Sequence, residues 1–397
     1  MNIEGNIHKL GTDSVNLLKE MVSIPSPSFE ESAVCSHICS WMDRVGIIHE
    51  RVGNNIVAEL HKQEGCCGNT CSKRLMLCAH IDTVPPCDGY GFDPYLPDYA
   101  QAAGILSEKT GKKLGPEDIV AGLGSNDDGA SAVAMIAVFR YFMDKSASEI
   151  NGTDITLVLS CEEERSGKAG MTGLWGTRLC RRDADLEGCI KVDNAIVGEP
   201  TAMRAAVSER GLLVIDATAH GVSGHAARNE GRNALYIALD DIARLRSHQF
   251  ARLSPTMGKI NLNVTQINAG SAHNVIPDRC SFVIDIRPTE KYTNEEILDE
   301  LKGICESELI PRNLSNRSSA AAEGSLLVKT AQSMGIGTFS SPTTSDWMRI
   351  DCDALKMGPG DSSRSHRPDE YVLVSEIEEA IQTYIDFIVH YHEHTLE

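Results

Sequence analysis

The sequence contains few aromatic residues and no long apolar run. Trp, Tyr and Phe make up 5% of the 397 residues, and only 3 of them are Trp. No window approaches the ~18 apolar residues of a membrane span. The N-terminal residues also lack the basic segment followed by an apolar stretch that marks a secretory leader. These absences exclude a membrane-spanning protein and predict a cytoplasmic one.

Positive charge is also scarce. The chain has 37 Lys and Arg against 56 Asp and Glu, which gives a formal net charge of −19. A surface of this sign repels polyanions, so we predict that neither nucleic acid nor an anionic membrane is a partner. Cationic substrates and divalent metals are compatible with it, although solvated acidic faces are an equally ordinary cause of a low isoelectric point.

Cysteine does not follow a disulfide or zinc-finger framework. There are 13 cysteines, an odd number that cannot all pair with one another within one chain. They are spread through predicted strands, helices and loops, as expected for mostly buried thiols in a reducing compartment. One cluster, Cys66, Cys67 and Cys71 in GCCGNTC, lacks a second pair at zinc-finger spacing. We predict solvated free thiols there, with a metal knot as the alternative.

The chain is too long for one core, because cores stop growing near about 250–300 residues. The first part predicts a helix over Thr12–Val22, a second helix opened by a capping box of Ser28 and Glu31, and a third over Asp127–Phe142. Apolar strands are predicted at 55–60, 74–81, 154–160 and 194–198, and the third helix lies between the second and third of them. This order predicts an α/β domain whose mixed, mostly parallel sheet is covered by helices on both faces.

From about Gly211 the strands become amphipathic and follow a β-α-β-β-α order. This pattern of amphipathic strands and helices predicts a small α+β domain with helices on one face of its sheet, inserted into the first domain. The predicted organisation is a catalytic domain in two parts, residues 1–208 and 313–397, with an inserted domain over 209–312.

Acidic and imidazole residues stand at the ends of the apolar runs. They are His80, Asp127, Glu164, Glu199 and His366. Parallel strands deliver such groups to one edge of a sheet, which suits a two-cation hydrolase. Taken singly, each has an ordinary alternative, such as a helix-capping aspartate, a solvated acidic turn or a surface histidine. Their common placement favours the metal site.

The run Glu162–Glu164 adds a specific argument. Three consecutive glutamates repel each other, and bound cations would relieve that repulsion while one carboxylate serves as general base. A nucleotide-binding Rossmann interpretation of the nearby glycines fails, because GLGSNDDG lacks the G-x-G-x-x-G spacing.

The motifs HIDTVPP, GLGSNDDG, EEE, VGEPT, SGHAAR, NVIPD and SHRPDEY, spread over residues 80–371, resemble the M20 metallopeptidase and deacylase family. Within it, GLGSNDDGAS, SPTTSDW and KMGPGDSSRSHRPDEY most resemble the acetylornithine deacetylase branch. The resemblance implies a zinc-exopeptidase-like fold with a ferredoxin-like lid and dimerisation domain. It also implies two zinc ions per subunit, with cobalt as an alternative, and a homodimer.

The resemblance further assigns metal ligands and a base. One zinc site would use His80, Asp127 and Glu199, and the other Asp127, Glu164 and His366, so that Asp127 bridges. Asp82 would orient His80, and Glu163 would be the general base. A register shifted by one residue, with Glu162 as the base and Glu163 as the ligand, stays open.

Four positions of the inserted domain or its return match substrate-handling residues of the family. His225 matches a histidine that reaches the partner subunit's active site and stabilises the oxyanion. Asn274 and Arg287 match positions that recognise the substrate carboxylate, and Thr344 one near the acyl group. A turn-forming asparagine and a solvated strand-end arginine are the ordinary alternatives for Asn274 and Arg287.

The resemblance implies removal of acetyl or succinyl from N-acyl-L-ornithine, a small-molecule N-acyl amino acid, in arginine biosynthesis. Alternatives are a succinyl-diaminopimelate desuccinylase, an aminoacylase or dipeptidase, and a non-catalytic binding relative. Many family members have Asp-Met-Lys-Gly where this chain has Asp127 followed by Asp128, Gly129 and Ala130. Substrate preferences of lysine-containing members therefore do not transfer directly.

Overall fold

The computed structural model describes residues 3–61, 73–145, 153–228 and 230–395. The cluster Cys66, Cys67 and Cys71 lies outside them. The chain forms two compact units. Unit 1 comprises Met1–Val207, Ala321–Phe339 and Ser345–Glu397, and unit 2 comprises Ser208–Ala320 and Ser340–Thr344. Unit 2 thus includes residues 313–320 and 340–344 as well as 209–312.

The helices are α1 (Ile3–Val22), α2 (Ser32–Arg44), α3 (Tyr99–Thr110), α4 (Ala130–Met143), α5 (Met171–Leu174), α6 (Ala234–Ser247), α7 (Asn294–Lys302), α8 (Leu326–Ser333) and α9 (Val374–Thr395). Within the described ranges, none of them combines the length and apolarity needed to cross a lipid bilayer.

The strands are β1 (Glu50–Val52), β2 (Asn55–Leu60), β3 (Lys73–His80), β4 (Ile119–Ala121), β5 (Thr153–Ser160), β6 (Leu179–Arg181), β7 (Ile190–Val192), β8 (Asn194–Val197), β9 (Ala205–Glu209), β10 (Leu213–His220), β11 (Gly224–His225), β12 (Asn261–Ala269), β13 (Val275–Ile276), β14 (Arg279–Arg287), β15 (Glu308–Pro311), β16 (Ser319–Ala320), β17 (Thr338–Ser341), β18 (Asp353–Lys356) and β19 (Tyr371–Leu373).

The main sheet of unit 1 has the strand order β1-β2-β5-β3-β8-β18-β9. The four central strands, β5, β3, β8 and β18, are parallel. The flanking pairs are antiparallel. The predicted mixed α/β sheet is confirmed, with its parallel strands at the centre. Because those four strands run in one direction, their carboxyl ends share one edge.

Both faces of this sheet are covered, but by different elements. Alternate strand residues such as Leu77 and Ile196 pack with α1, α4, α8 and α9. The opposite face, which includes Met76 and Val158, packs against the short α5, the β6 and β7 strands and Trp347. Long helices therefore cover one face, and short elements cover the other.

Two local predictions in unit 1 are wrong. Ser28 and Glu31 form no capping box, since Ser28 Oγ donates to Asp82 at 2.6 Å and Glu31 accepts from the Phe29 N–H at 2.7 Å. The third predicted helix begins at Ala130 instead of Asp127, because Asp127 has φ −124° and ψ 94°. In both places the chain forms a non-helical loop near the strand ends, although the sequence pattern there predicts a helix.

One pair of cysteines also departs from the prediction of free thiols. Cys180 and Cys189 form a disulfide between β6 and β7. The remaining cysteines in the described part of the chain are free, and Cys35, Cys78 and Cys161 are buried among them.

Unit 2 is an α+β fold. Its antiparallel sheet has the order β12-β14-β10-β15, so the chain order is β-α-β-β-α-β. Alternate residues of β10 and β14, among them Ile215 and Ile284, are buried against α6 and α7. A capping box of Thr293 and Glu296 begins α7. This arrangement matches the predicted ferredoxin-like order.

Candidate metal centre

The ends of the central strands place the predicted ligands together. His80 is the last residue of β3, Glu163 and Glu164 follow β5, and Glu199 follows β8. Because β5, β3 and β8 are parallel neighbours, all four side chains arise at one edge of the sheet. The strand register of unit 1 therefore gathers carboxylates and an imidazole that are far apart in the sequence.

Asp127 joins them from the turn before α4. Its Oδ1 lies 3.2 Å from Nε2 of His80. The turn is held from behind by Glu370, whose Oε1 accepts the backbone N–H groups of Asn126 at 2.9 Å and Asp127 at 3.1 Å. These bonds fix the Asp127 backbone and leave its carboxylate directed at His80.

His366 reaches the same place from the loop that precedes β19. Its Nε2 lies 2.9 Å from Oε1 of Glu164 and 3.6 Å from Oδ2 of Asp127. His366 has φ 57°, a left-handed conformation that is uncommon outside glycine and is found preferentially at functional sites.

The donor atoms form two overlapping groups. In one, His80, Asp127 and Glu164 have donor atoms that all lie within 4.8 Å of one another. In the other, the same holds for His80, Glu163 and Glu199. The structure thus brings all five predicted ligands and Glu163 into one cluster in unit 1.

Asp82 is the buried carboxylate that ties two of these segments together. Nδ1 of His80 lies 3.0 Å from the Asp82 carbonyl oxygen and 3.4 Å from its Oδ1. The same carboxylate accepts the backbone N–H groups of Glu163 at 3.0 Å and Glu164 at 3.2 Å. It therefore contacts the imidazole and the glutamate loop at once, an arrangement that is also found for partners of metal-ligating histidines.

The three consecutive glutamates point in different directions. Glu162, at φ 59°, turns its carboxylate to the Ala169 N–H at 2.9 Å. Glu163 lies with His80 and Glu199, whereas Glu164 contacts His366. In this geometry Glu162 belongs to neither donor group.

Proton affinities in the cluster are strongly perturbed. Burial raises the pKa of Glu163 well above its usual range, and the carboxylates of Glu199 and Glu164 raise it further. Burial likewise raises the pKa of Glu199 and of Glu164. The hydrogen bond to Glu164 raises the pKa of His366 to about 9. The cluster therefore favours added positive charge.

Divalent cations fit this donor set. Imidazole nitrogens and carboxylate oxygens are the ligands that Zn²⁺ takes in hydrolases, and cobalt and manganese accept the same types. The raised pKa values of Glu163 and Glu199 support this fit. Carboxylates crowded into a partly buried site repel each other unless protons or cations neutralise them. The geometry of unit 1 thus provides a possible metal site.

Three further carboxyl groups, which the sequence does not predict to be buried, lie around the site. Burial raises the pKa of Asp128 and of Glu370 to about 8, and that of Asp346 to about 6. Asp346 accepts the Ser160 hydroxyl at 2.5 Å, at the end of β5. Each lies beside a motif already noted, in NDDG, SDW or DEY, but nothing in those letters distinguishes a buried acid from a solvated one.

Comparison with known proteins gives the ancestry of the chain. Residues 207–313 match the M20 peptidase dimerisation domain. The chain is 25% identical to succinyl-diaminopimelate desuccinylase of Corynebacterium glutamicum over 92% of this chain and 93% of that one. It is also 25% identical to acetylornithine deacetylase of Proteus mirabilis over 92% and 93% of the two chains. These matches relate the chain to the M20 peptidases and deacylases over most of its length.

Solved M20 structures share the fold. A dinuclear metal-binding M20 peptidase from Bacillus subtilis aligns with a TM-score of 0.67 at 16% identity, covering 96% of this chain and 98% of that one. The family relation makes this chain an M20 hydrolase of the peptidase and deacylase type. Both deacylase names occur among its relatives at the same identity, so ancestry alone does not select a substrate.

The remaining predicted residues of this M20 protein lie in unit 2. His225 is exposed on β11, which pairs with β13, and the Asn274 carbonyl accepts the neighbouring Ala226 N–H at 3.0 Å. Arg287 donates to both carboxylate oxygens of Asp285, at 2.9 and 3.2 Å. Thr344 is half-buried. Unit 2 brings the His225 and Asn274 segments together and leaves Arg287 paired with an acid.

Proposed function

We propose that this M20 hydrolase is a dinuclear zinc amidohydrolase that removes acetyl or succinyl from N-acyl-L-ornithine, releasing L-ornithine for arginine biosynthesis in the cytoplasm. The observation that carries the proposal is the cluster in unit 1, where two imidazoles flank Asp127 and Glu163 stands beside them.

The proposed ligands divide into two sets that share Asp127. His80 and Glu199 would complete one set, and Glu164 and His366 the other. When bound, two cations would supply Lewis acidity toward the acyl oxygen and lower the pKa of water toward ~7. The 3.2 and 3.6 Å approaches of Asp127 to the two histidines support the bridging role.

Glu163 is the proposed general base. Its raised pKa suits a group that takes a proton from the attacking water and later returns it to the departing amine near neutral pH. Its backbone is fixed by Asp82, while Glu162 is engaged with Ala169. This geometry favours the register in which Glu163 is the base and Glu164 the ligand.

His225 is the proposed oxyanion donor, acting from the second subunit of a homodimer. The Ala227 N–H donates to its Nδ1 at 3.1 Å, so the neutral ring carries its proton on Nε2 and presents a donor. Such a donor would stabilise charge that develops on the acyl oxygen. Asn274 and Thr344 are proposed to contact substrate. Arg287 would do so only by giving up its bonds to Asp285.

A second copy of the chain is the proposed partner of unit 2. Besides the match to a dimerisation domain, β12 is an edge strand without a charged residue, and most of its residues are exposed. Ile267 on β12 is 49% exposed, and Tyr236 on α6 is 65% exposed. An uncharged exposed edge invites pairing with another chain.

The ornithine substrate is supported by the segments that resemble the acetylornithine deacetylase branch and by the relative of that name from Proteus mirabilis. Succinyl-diaminopimelate desuccinylase is the second candidate, because a relative of that name matches equally well.

Both candidates are tested by presenting acetylornithine, succinylornithine and succinyl-diaminopimelate to the zinc-loaded protein and quantifying the released amine. We expect ornithine from at least one of the first two, and loss of that activity with a chelator. Turnover of the diaminopimelate substrate alone would replace the ornithine assignment. Turnover of none of the three would favour an aminoacylase, a dipeptidase or a non-catalytic relative.

A further inference from the structure

Asp128 is a buried carboxylate that contacts three ligand-bearing segments. Its side chain is 1% exposed, and it directly follows Asp127. Its Oδ2 accepts the backbone N–H of His80 at 3.4 Å. A Cβ added to Gly198 would lie 3.1 Å from the same oxygen, so that oxygen also packs against the residue that precedes Glu199.

A small void lies beside Asp128. It has a volume of about 20 Å³, and the polar residues Ser26, Asp82, Thr83 and Asp128 line it together with apolar residues that include Val22 and Leu123. Asp128 Oδ1 and Thr83 Oγ1 are both buried, and neither has a hydrogen-bond partner of good geometry among the residues described. The buried Ser131 hydroxyl also lies close to Asp128. A void needs about 10–15 Å³ and at least two polar partners to hold a water molecule. This one meets both conditions.

We infer that Asp128 is a positioning residue that sets the spacing of His80, Asp127 and Glu199 for two cations, and that the void binds one water molecule bridging Thr83 to Asp128. This inference rests on the proposed metal-dependent function. No ligand role is assigned to Asp128, because its Oδ2 contacts the His80 backbone and Gly198, and Asp128 belongs to neither donor group of the described residues.

A carboxylate at this position has different consequences with and without metal. In the metal-free protein, a buried polar group with an oxygen that lacks a hydrogen-bond partner is costly, so an apolar residue with the same branching would be at least as stable. With cations bound, the contacts of Oδ2 with the His80 N–H and with Gly198 hold the ligand spacing. A residue with only a packing role would have the same effect on both forms.

The test compares Asp128→Leu, which is similar in size but apolar, with the parent protein. Metal per chain is measured by equilibrium dialysis against zinc buffered by a chelator, and the unfolding midpoint of the metal-free form is measured separately. We expect Asp128→Leu to hold fewer than one ion per chain where the parent holds two, while its metal-free form unfolds at the parent temperature or above.

Asp241→Asn is the matched control. Asp241 is also fully buried and accepts the backbone N–H groups of Glu306 at 3.0 Å and Ser307 at 2.8 Å, but it lies in unit 2. Its loss should lower the unfolding midpoint and leave zinc binding unchanged. Two ions at parent affinity in Asp128→Leu, or a fall in its metal-free midpoint like that of the control, would overturn the positioning role.

If Asp128→Leu does not fold, Asp128→Ala replaces it. Alanine removes both the acceptor for the His80 N–H and the packing on Gly198, so zinc affinity should fall at least ~10-fold, the usual effect of losing a group that supports a ligand. Unchanged affinity would overturn the inference. A parent protein that binds no zinc would instead count against the proposed function, so the two failures are distinguishable.

The water is tested by a high-resolution crystal structure of the zinc-loaded protein and of Thr83→Val. We expect a water within hydrogen-bond distance of Thr83 and Asp128 in the parent, and none in the variant. An empty void in the parent would remove the water from the inference, and the zinc measurements would decide the role of Asp128.

Discussion

Unit 1 and unit 2 present their predicted functional residues in different ways. In unit 1 the ligands His80, Asp127 and Glu164 are buried or half-buried and contact one another. In unit 2, His225 and Asn274 are exposed, and Arg287 is paired with Asp285. Unit 1 therefore gathers its predicted residues into one cluster, whereas unit 2 presents its predicted residues at its surface or paired with an acid. Substitutions in either unit can test that contrast.

The largest effect is expected from Glu163→Gln in unit 1. The amide cannot accept the proton of water, so kcat for the ornithine substrate should fall by ~10²–10⁴, the usual range for a general base. The measurement is steady-state kinetics together with bound zinc, which should stay at the parent level. Glu162→Gln is the control, because Glu162 contacts Ala169. A larger loss in Glu162→Gln would establish the shifted register.

His225→Ala in unit 2 should lower kcat by ~10²–10³, comparable to the loss of one oxyanion donor, with zinc content unchanged. If the histidine acts across a homodimer, mixing inactive His225→Ala and Glu163→Gln subunits regenerates one complete site per mixed dimer. Activity should then reappear after exchange of subunits. Failure of every mixture, under conditions where mixed dimers are detected, would place His225 outside the partner's site.

The cluster in unit 1 should make the metal-free protein less stable as pH rises. Burial raises the pKa of Asp128 and Glu370 to about 8 in the folded state, above their unfolded values near ~4. The folded form then binds more protons across pH 5–8, and stability is lost as pH rises through the folded pKa. His366, with its pKa raised to about 9, acts in the same direction.

We therefore expect the thermal unfolding temperature of the metal-free protein to decrease as the pH is raised from 5 to 8. The zinc-loaded form should show a smaller fall, since cations take the place of the protons. Thermal unfolding of both forms in matched buffers measures the difference. Parallel pH profiles would mean that the acids of unit 1 are not neutralised by metal.

The contrast between the units also separates what the sequence predicts from what it does not. The apolar strands that end at His80 and Val197, and the parallel order between them, follow from composition and spacing. Alternation along β10 and β14 likewise predicts a sheet with one buried face. Local periodicity is sufficient to predict a strand and its buried face where buried residues recur regularly along it.

Prediction from the sequence fails where a side chain forms its contacts with residues that are far away along the chain. Ser28 has the spacing of a capping residue, yet it bonds Asp82, 54 residues away. Asp128 and Glu370 are buried by contacts between segments, and the Cys180–Cys189 disulfide depends on two strands meeting. Because such contacts carry no periodic signal, only the folded chain reveals them.

The smallest effect on the chemistry is expected from Ile267→Lys on the edge of unit 2. Ile267 is 49% exposed, so a dimer that covers it would lose about 0.7–1.5 kcal/mol of apolar burial per copy, half the value for a whole side chain. Sedimentation should show a weaker dimer, and the stability of each unit should hardly change. Ile48→Lys in unit 1, at 88% exposure, is the control. Loss of activity in proportion to the monomer fraction would tie unit 2 to the site through the partner, whereas a fully active monomer would leave unit 1 sufficient by itself.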